Sequence, residues 1–173
     1  MLEVFVNIII VLYALSIIFV LFHSLFDAHL IFHYLRSRNK KNVAVFEDNF
    51  TPFVTIQLPV FNELHVVERL LDAVAAIDYP KDKIEIQVLD DSTDETSDII
   101  ARKIVLLKQN NIPILHIQRQ NREGYKAGAL KNALSLAKGD FLAVFDADFI
   151  PSKDFLKQTI PFFANDSIGM VQT

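Results

Sequence analysis

Two aspartates, Asp146 and Asp148, stand one residue apart in the stretch Val144-Phe145-Asp146-Ala147-Asp148-Phe149. The stretch ends an apolar run, Phe141 to Phe145, and is followed by Ile150 and Pro151. In an extended chain, residues i and i+2 point to the same side. Two carboxylates so placed repel unless a cation lies near them. Hard oxygen donors suit Mg²⁺ or Mn²⁺, which keep several waters and share coordination with a substrate phosphate. Two plainer explanations compete: Asp148 caps a turn before Pro151, or Asp146 pairs with a basic side chain.

A second acidic pair, Asp90-Asp91, ends another strand candidate, Ile84–Leu89, which alternates and then becomes apolar, and precedes Ser92. Either aspartate can join Ser92 in capping the next helix, which accounts for one carboxylate and not for both. The functional reading gives one of them a base or ribose hydroxyl, as carboxylates take in nucleotide sites. The segment Arg122-Glu123-Gly124-Tyr125-Lys126-Ala127-Gly128 adds cations and two glycines at a helix start. Glycine permits close backbone approach and a helix N-terminus favours anions, so Lys126 or Arg122 can neutralise a diphosphate. The alternative is a solvated basic turn. The segment is not a P-loop, and no Gly-x-Gly-x-x-Gly follows the first strand.

The elements that must position these groups alternate strand and helix. Strands are expected at 53–58, 84–89, within 112–118 and at 141–145. Helices are expected from Glu63 to about Ile77 with Asn62 as cap, from a capping box at Ser92–Glu95 to about Gln109, from Gly124 to about Ala137, and from a Ser152 cap towards Phe163. This alternation predicts an α/β fold, a mostly parallel sheet with helices on both faces. Ligands of such folds lie beyond the carboxyl ends of the strands. Pro59, Phe61, Asn62 and Glu63 follow the first strand, Asp90 and Asp91 the second, Arg119, Asn121, Arg122 and Lys126 the third, and Asp146 and Asp148 the fourth.

The first 35 of the 173 residues differ in kind. No charged residue occurs from Val4 to Phe22, a length close to that of a membrane-spanning helix. A cleaved signal peptide is the rival reading; the missing basic n-region and missing small-x-small site favour a retained helix. Residues 23–35 either extend that helix or lie along the membrane surface. His29 and His33 share a helix face, but without a third ligand they read as interface histidines rather than a metal pair. The cluster Arg36, Arg38, Lys40 and Lys41 predicts a cytoplasmic globular domain by the positive-inside rule. Residues 36–51 are expected to be a basic, polar linker, and 52–173 the globular part. The net charge of -4 offers no basic face for a nucleic-acid polymer. The absence of cysteine removes thiolate chemistry and suits a reducing compartment.

In this order and spacing, "LPVFNE", "VLDDSTDET", "GYKAGALKNAL" and "FDADF" resemble the N-terminal half of a family 2 glycosyltransferase domain of the GT-A fold. The similarity is greatest to the cellulose-synthase-like group, including glucomannan and xyloglucan-backbone synthases, and spans roughly 52–173. The resemblance implies that Asp146 and Asp148 bind a divalent metal and the donor diphosphate. It implies that Asp91, with Asp90 beside it, contacts the nucleotide, that Pro59, Phe61 and Glu63 line the base and ribose pocket, and that Lys126 lies near the donor. The reaction implied is transfer of a hexose, glucose or mannose, from a UDP- or GDP-sugar to a glycan hydroxyl with inversion, at a membrane. The family's Thr-Glu-Asp-like base motif and its Gln-x-x-Arg-Trp acceptor motif do not occur here, and there is no tryptophan. The chain is therefore expected to be a truncated, donor-binding half with no catalytic base of its own. The competing expectations are an inert membrane-tethered module that binds a nucleotide or a partner, and, more weakly, a nucleotidyltransferase.

Overall fold

The computed structural model describes residues 1–37 and 50–172, so most of the expected linker at 36–51 lies outside the described residues. The chain divides into an N-terminal helix and a globular unit.

Helix α1 runs from Leu2 to Ser37. At about 1.5 Å per residue it exceeds the roughly 30 Å of a bilayer's hydrocarbon core. It is long and apolar enough to cross a membrane. Apolar side chains surround it on all sides, as a lipid environment requires. Residues 23–35 continue the helix. The His29 and His33 rings pack edge-on at 4.5 Å.

The globular unit contains β1 (Val54–Val60), α2 (Val67–Ala75), β2 (Ile84–Asp90), α3 (Thr96–Gln109), β3 (Ile114–Gln118), α4 (Tyr125–Leu134), β4 (Phe141–Val144) and α5 (Phe155–Thr159). The four strands form one parallel sheet in the order β3-β2-β1-β4. The chain moves outward from β1 to β3, then returns to β1's other side. The reversal falls between β1 and β4, whose carboxyl ends form the crevice where ligands of open α/β sheets bind.

Period-two alternation gives the sheet two different faces. Val54, Ile56, Leu58 and Val60 of β1, with Ile84, Ile86 and Val88 of β2, point into the main core. There they meet Leu70, Leu71 and Val74 of α2, Ile100 and Ile104 of α3, and Leu156 of α5. On the other face Ala129 and Ala133 of α4 pack with Leu89. Beside that contact the face is buried and polar. The Thr55 hydroxyl donates to Glu85 at 2.8 Å and the Gln57 amide donates to Gln87 at 3.0 Å. The Lys138 and Gly139 amides cap this pair of strands by donating to Glu85 and Thr55. Pairing makes such burial tolerable; the second Glu85 oxygen, Oε2, has no hydrogen bond and lies 3.9 Å from the Lys138 ammonium.

Two helix starts, those of α2 and α3, differ from expectation because Asn62 and Ser92 bind each other's loops instead of capping. Asn62 adopts φ 56° and its side chain reaches Thr93. A turn then spans Glu63 to Val66, and α2 begins only at Val67. Ser92 accepts from the Asn62 amide, so α3 opens without a capping box, helped by Asp94, which accepts from the Thr96 amide at 3.0 Å. The last helix starts at Phe155, not at Ser152, and passes at Ile160 into a 3₁₀ turn to Ala164. Pro161 has no amide to continue α5.

Candidate active site

The acidic tip of β4 is a turn rather than an extended strand. The Phe149 amide donates to the Asp146 carbonyl at 3.0 Å. Phe145 and Ala147 point into the core while Asp146 and Asp148 are exposed. The i, i+2 geometry assumed for an extended chain is thus replaced by a tight turn anchored through the buried Phe145. Asp146 and Asp148 still line one cavity of about 490 Å³, together with Lys126, Phe149 and the edge of β4. The Lys126 ammonium pairs with Asp146, so this carboxylate already holds a cation. Both partners are more than half exposed. Among the described residues no group of three or more His, Asp or Glu side chains converges. The donor set available to a divalent ion is therefore two carboxylates, with room for water and phosphate oxygens. That fits Mg²⁺ or Mn²⁺, which are commonly held by one or two carboxylates plus substrate phosphate.

The two aspartates at the tip of β2 part company. Asp90 turns inward, with its side chain fully buried. Its Oδ1 accepts from the Ser92 amide at 2.9 Å. Its Oδ2 accepts from Ser97, from His116 Nε2 at 2.8 Å and from Gln118 at 3.2 Å. Burial pushes this carboxyl's pKa up, but the hydrogen bonds from His116, Ser97 and Ser92 outweigh it and hold it well below the usual carboxylate range.

Asp91 turns the other way. It takes Arg119 side-on, Nε to Oδ1 at 2.9 Å and Nη2 to Oδ2. Arg119 also donates to the carbonyls of Glu123 and Tyr125, which fixes the start of α4. That start needs glycine. Gly124 sits at φ 70°, and a Cβ on Gly128 would lie 1.9 Å from the Glu123 carbonyl. Arg122 lies 4.0 Å from Asp91 and stacks on Phe61, its guanidinium carbon 3.2 Å from the ring centre. Tyr125 lies on the same guanidinium at 5.2 Å.

The remaining candidates lie on β1 and its exit. Pro59 is half-buried in β1, on the side where pairing with β4 has already ended at Gln57. A missing amide is harmless there. Phe61 is partly exposed, and Glu63 begins the turn into α2. Two groups hence gather at the carboxyl edge: Phe61, Asp91, Arg119, Arg122 and Tyr125 in one, and Lys126, Asp146 and Asp148 in the other. The segment Arg122–Lys126 contributes to both. Arg119 stood among the edge residues in the sequence without a role. The structure gives it the central ion pair. Ser97, His116 and Gln118 carried no motif and were missed.

This strand order, with charged groups at the carboxyl ends on both sides of the reversal, is that of an open α/β domain, a class whose ligands bind at a topological switch. The profile described as glycosyl transferase family 2 matches residues 55–173, and the chain belongs to that family. Two curated relatives come from Oryza sativa subsp. japonica. Probable glucomannan 4-beta-mannosyltransferase 4 is 45% identical over 127 residues, covering 70% of this chain and 23% of the relative. Probable glucomannan 4-beta-mannosyltransferase 11 is 42% identical, covering 70% and 22%. The chain thus spans under a quarter of the length of these relatives. Among solved structures, the mannosyltransferase PcManGT from Pyrobaculum calidifontis, in complex with GDP-Man and Mn²⁺, superposes with a TM-score of 0.71 at 29% identity, over 84% of this chain and 44% of that one. S. aureus TarS 1-349 in complex with UDP superposes at 0.56 with 27% identity, over 65% and 32%. The expected GT-A architecture, a parallel sheet flanked by helices, is the observed one.

Proposed function

We propose that this chain carries the donor-binding portion of a membrane-bound, divalent-metal-dependent hexosyltransferase. It takes a hexose from a nucleotide-sugar and delivers it to a glycan hydroxyl. The observation that carries the reading is the pair of charged groups on the carboxyl edge, bridged by Arg122–Lys126 and set astride the β1/β4 reversal. Mannose is favoured over glucose, because relatives at 42–45% identity are named mannosyltransferases and a structural neighbour holds GDP-Man.

In this reading Phe61 and Arg122 offer a stacking surface to the base, and Asp91 accepts from base or ribose. Pro59 and Glu63 shape the β1 side of that pocket. Asp146 and Asp148 hold the metal, which offsets negative charge growing on the departing diphosphate. Lys126, paired with Asp146 here, would serve a diphosphate oxygen in a chain whose aspartates hold a metal. Asp90 acts from beneath the site, because its oxygens are already engaged. None of these residues is assigned as the base that deprotonates the acceptor. The helix α1 anchors the chain, and the basic cluster from Arg36 to Lys41 keeps the globular unit on the cytoplasmic side.

The test is titration of GDP-mannose and UDP-glucose, with Mn²⁺ or Mg²⁺, into the full chain in detergent. Metal-dependent donor binding that is lost in Asp146→Ala and Asp148→Ala supports the reading. Donor binding that is equally tight in both variants, or independent of metal, removes the metal bridge. An inert partner-binding module is left if no nucleotide binds at all.

A further inference from the structure

From the contacts around Asp90 we infer that His116 is a positioning residue for the nucleotide pocket, holding in place two loops that it does not touch. The inference rests on the donor-site reading above and adds a residue that neither the motifs nor the edge groups contain. It starts from the fully buried Asp90 side chain. A carboxylate in such a place is stable only when its lone pairs are filled. Four donors fill them: the Ser92 amide, the Ser97 hydroxyl, His116 Nε2 and the Gln118 amide. Because an ionised carboxylate only accepts, the Nε2 of His116 carries the proton.

The consequence lies two residues on. By fixing the Ser92 amide, Asp90 sets the turn that leaves β2. Ser92 Oγ then accepts from the Asn62 amide at 3.0 Å, and Asn62 Oδ1 accepts from the Thr93 amide at 2.8 Å. The Asp91 amide donates to the Val60 carbonyl at 3.0 Å. The loops after β1 and β2 are thereby clasped together, and Phe61, Glu63 and Asp91 are carried on the clasp. Asn62 is held at φ 56°, a left-handed conformation that asparagine tolerates and that these bonds secure. From β3, His116 and Gln118 grip Asp90 on one face of the sheet, and Arg119 grips Asp91 on the other. Losing the His116 donor leaves a buried carboxylate short of a partner and loosens the turn it organises.

The experiment has two arms, on the full chain in detergent. In the ligand-free protein, amide hydrogen exchange is followed at Asn62, Ser92 and Thr93. His116→Phe keeps the ring and removes the donor, and is expected to speed exchange there about tenfold. His116→Gln places an amide N–H near the position of Nε2 and is expected to restore protection. In the second arm GDP is titrated with Mn²⁺, and His116→Phe is expected to weaken binding about tenfold while His116→Gln stays near wild type. Should His116→Phe fail to fold, Ser97→Ala removes a different donor to the same oxygen and is expected to change both readouts in the same direction. Unchanged exchange in His116→Phe, or a His116→Gln variant as defective as His116→Phe, overturns the inference. A wild-type chain that binds neither GDP nor UDP overturns the donor reading instead, and the exchange arm still decides for or against the clasp.

Discussion

Arg119 and Asp91 meet side-on, two planar groups sharing two hydrogen bonds, with only 11% and 7% of their side chains exposed. The pair joins the tip of β3 to the tip of β2, and through Arg119's bonds to the Glu123 and Tyr125 carbonyls it also holds the entry to α4. Asp91's hydrogen bond holds the guanidinium pKa above its ordinary value. Removing one partner strands the other, which costs about 3–5 kcal/mol for a buried pair. Arg119→Ala is therefore expected to lower the thermal midpoint sharply. Arg119→Lys keeps the charge but not the fork, and is expected to lie between Arg119→Ala and wild type. Thermal unfolding of the three proteins side by side checks this; a lysine variant as stable as wild type would mean that charge alone suffices.

Lys126 and Asp146 form the contrasting pair, exposed rather than buried. Such a pair contributes little, about 0.2–1 kcal/mol. Its interest is that, under the proposed function, the lysine occupies a carboxylate assigned to the metal. Lys126→Gln is expected to tighten binding of Mn²⁺ alone, by no more than about fivefold on that energy. The same substitution is expected to weaken binding of GDP in the presence of Mn²⁺, because a cation near the diphosphate is lost. Opposite signs for metal and nucleotide are the signature of a stand-in cation. If both affinities fall together, Lys126 is simply part of the binding surface.

Acid should act on Asp90 late. Its pKa in the folded chain is held below the ordinary carboxylate value of about 3.9. A depressed carboxyl contributes stability that is fully present above the unfolded value and is lost as pH falls through the folded one. Asp90→Asn is expected to be less stable than wild type by a constant margin from pH 7 to about 5. Below about pH 4 the margin should shrink, as the wild-type carboxyl begins to be protonated on unfolding. Thermal midpoints of both proteins across that range decide the matter, and a margin that widens in acid contradicts the assignment.

The sequence made the strands and the edge legible because both depend on local pattern. Alternating runs such as Ile84–Leu89 end in charged pairs, and the parallel order follows from helix-strand alternation. What stayed hidden depends on contacts far apart in the chain. Asn62 and Ser92 look like helix caps when read with their neighbours, yet each is used by the other's loop, 30 residues away. Asp90 and Asp91 look equivalent, yet strand alternation sends one to the core side and the other to Arg119 on the opposite face. His116 carries no local signal at all, since its role exists only once β3 lies beside β2.

Gly139 is a last case of a residue whose constraint comes from elsewhere in the fold. It is the turn residue before β4, and its amide donates to the Thr55 hydroxyl at 2.8 Å. A Cβ there would lie 2.4 Å from the Thr55 amide nitrogen and 2.7 Å from the Phe141 carbonyl oxygen. Both are backbone atoms inside the sheet and cannot swing aside. Gly139→Ala must push the turn away from β1. That strains the Lys138 and Gly139 amide bonds that serve the buried Glu85 and Thr55. Overpacking of this kind costs about 1–3 kcal/mol. The expected result is a lower thermal midpoint with GDP affinity near wild type at low temperature, because the turn lies at the amino end of β4 while Asp146 and Asp148 lie beyond its carboxyl end. Loss of nucleotide binding in a Gly139→Ala protein that is still folded would contradict that separation and tie the two ends of β4 together.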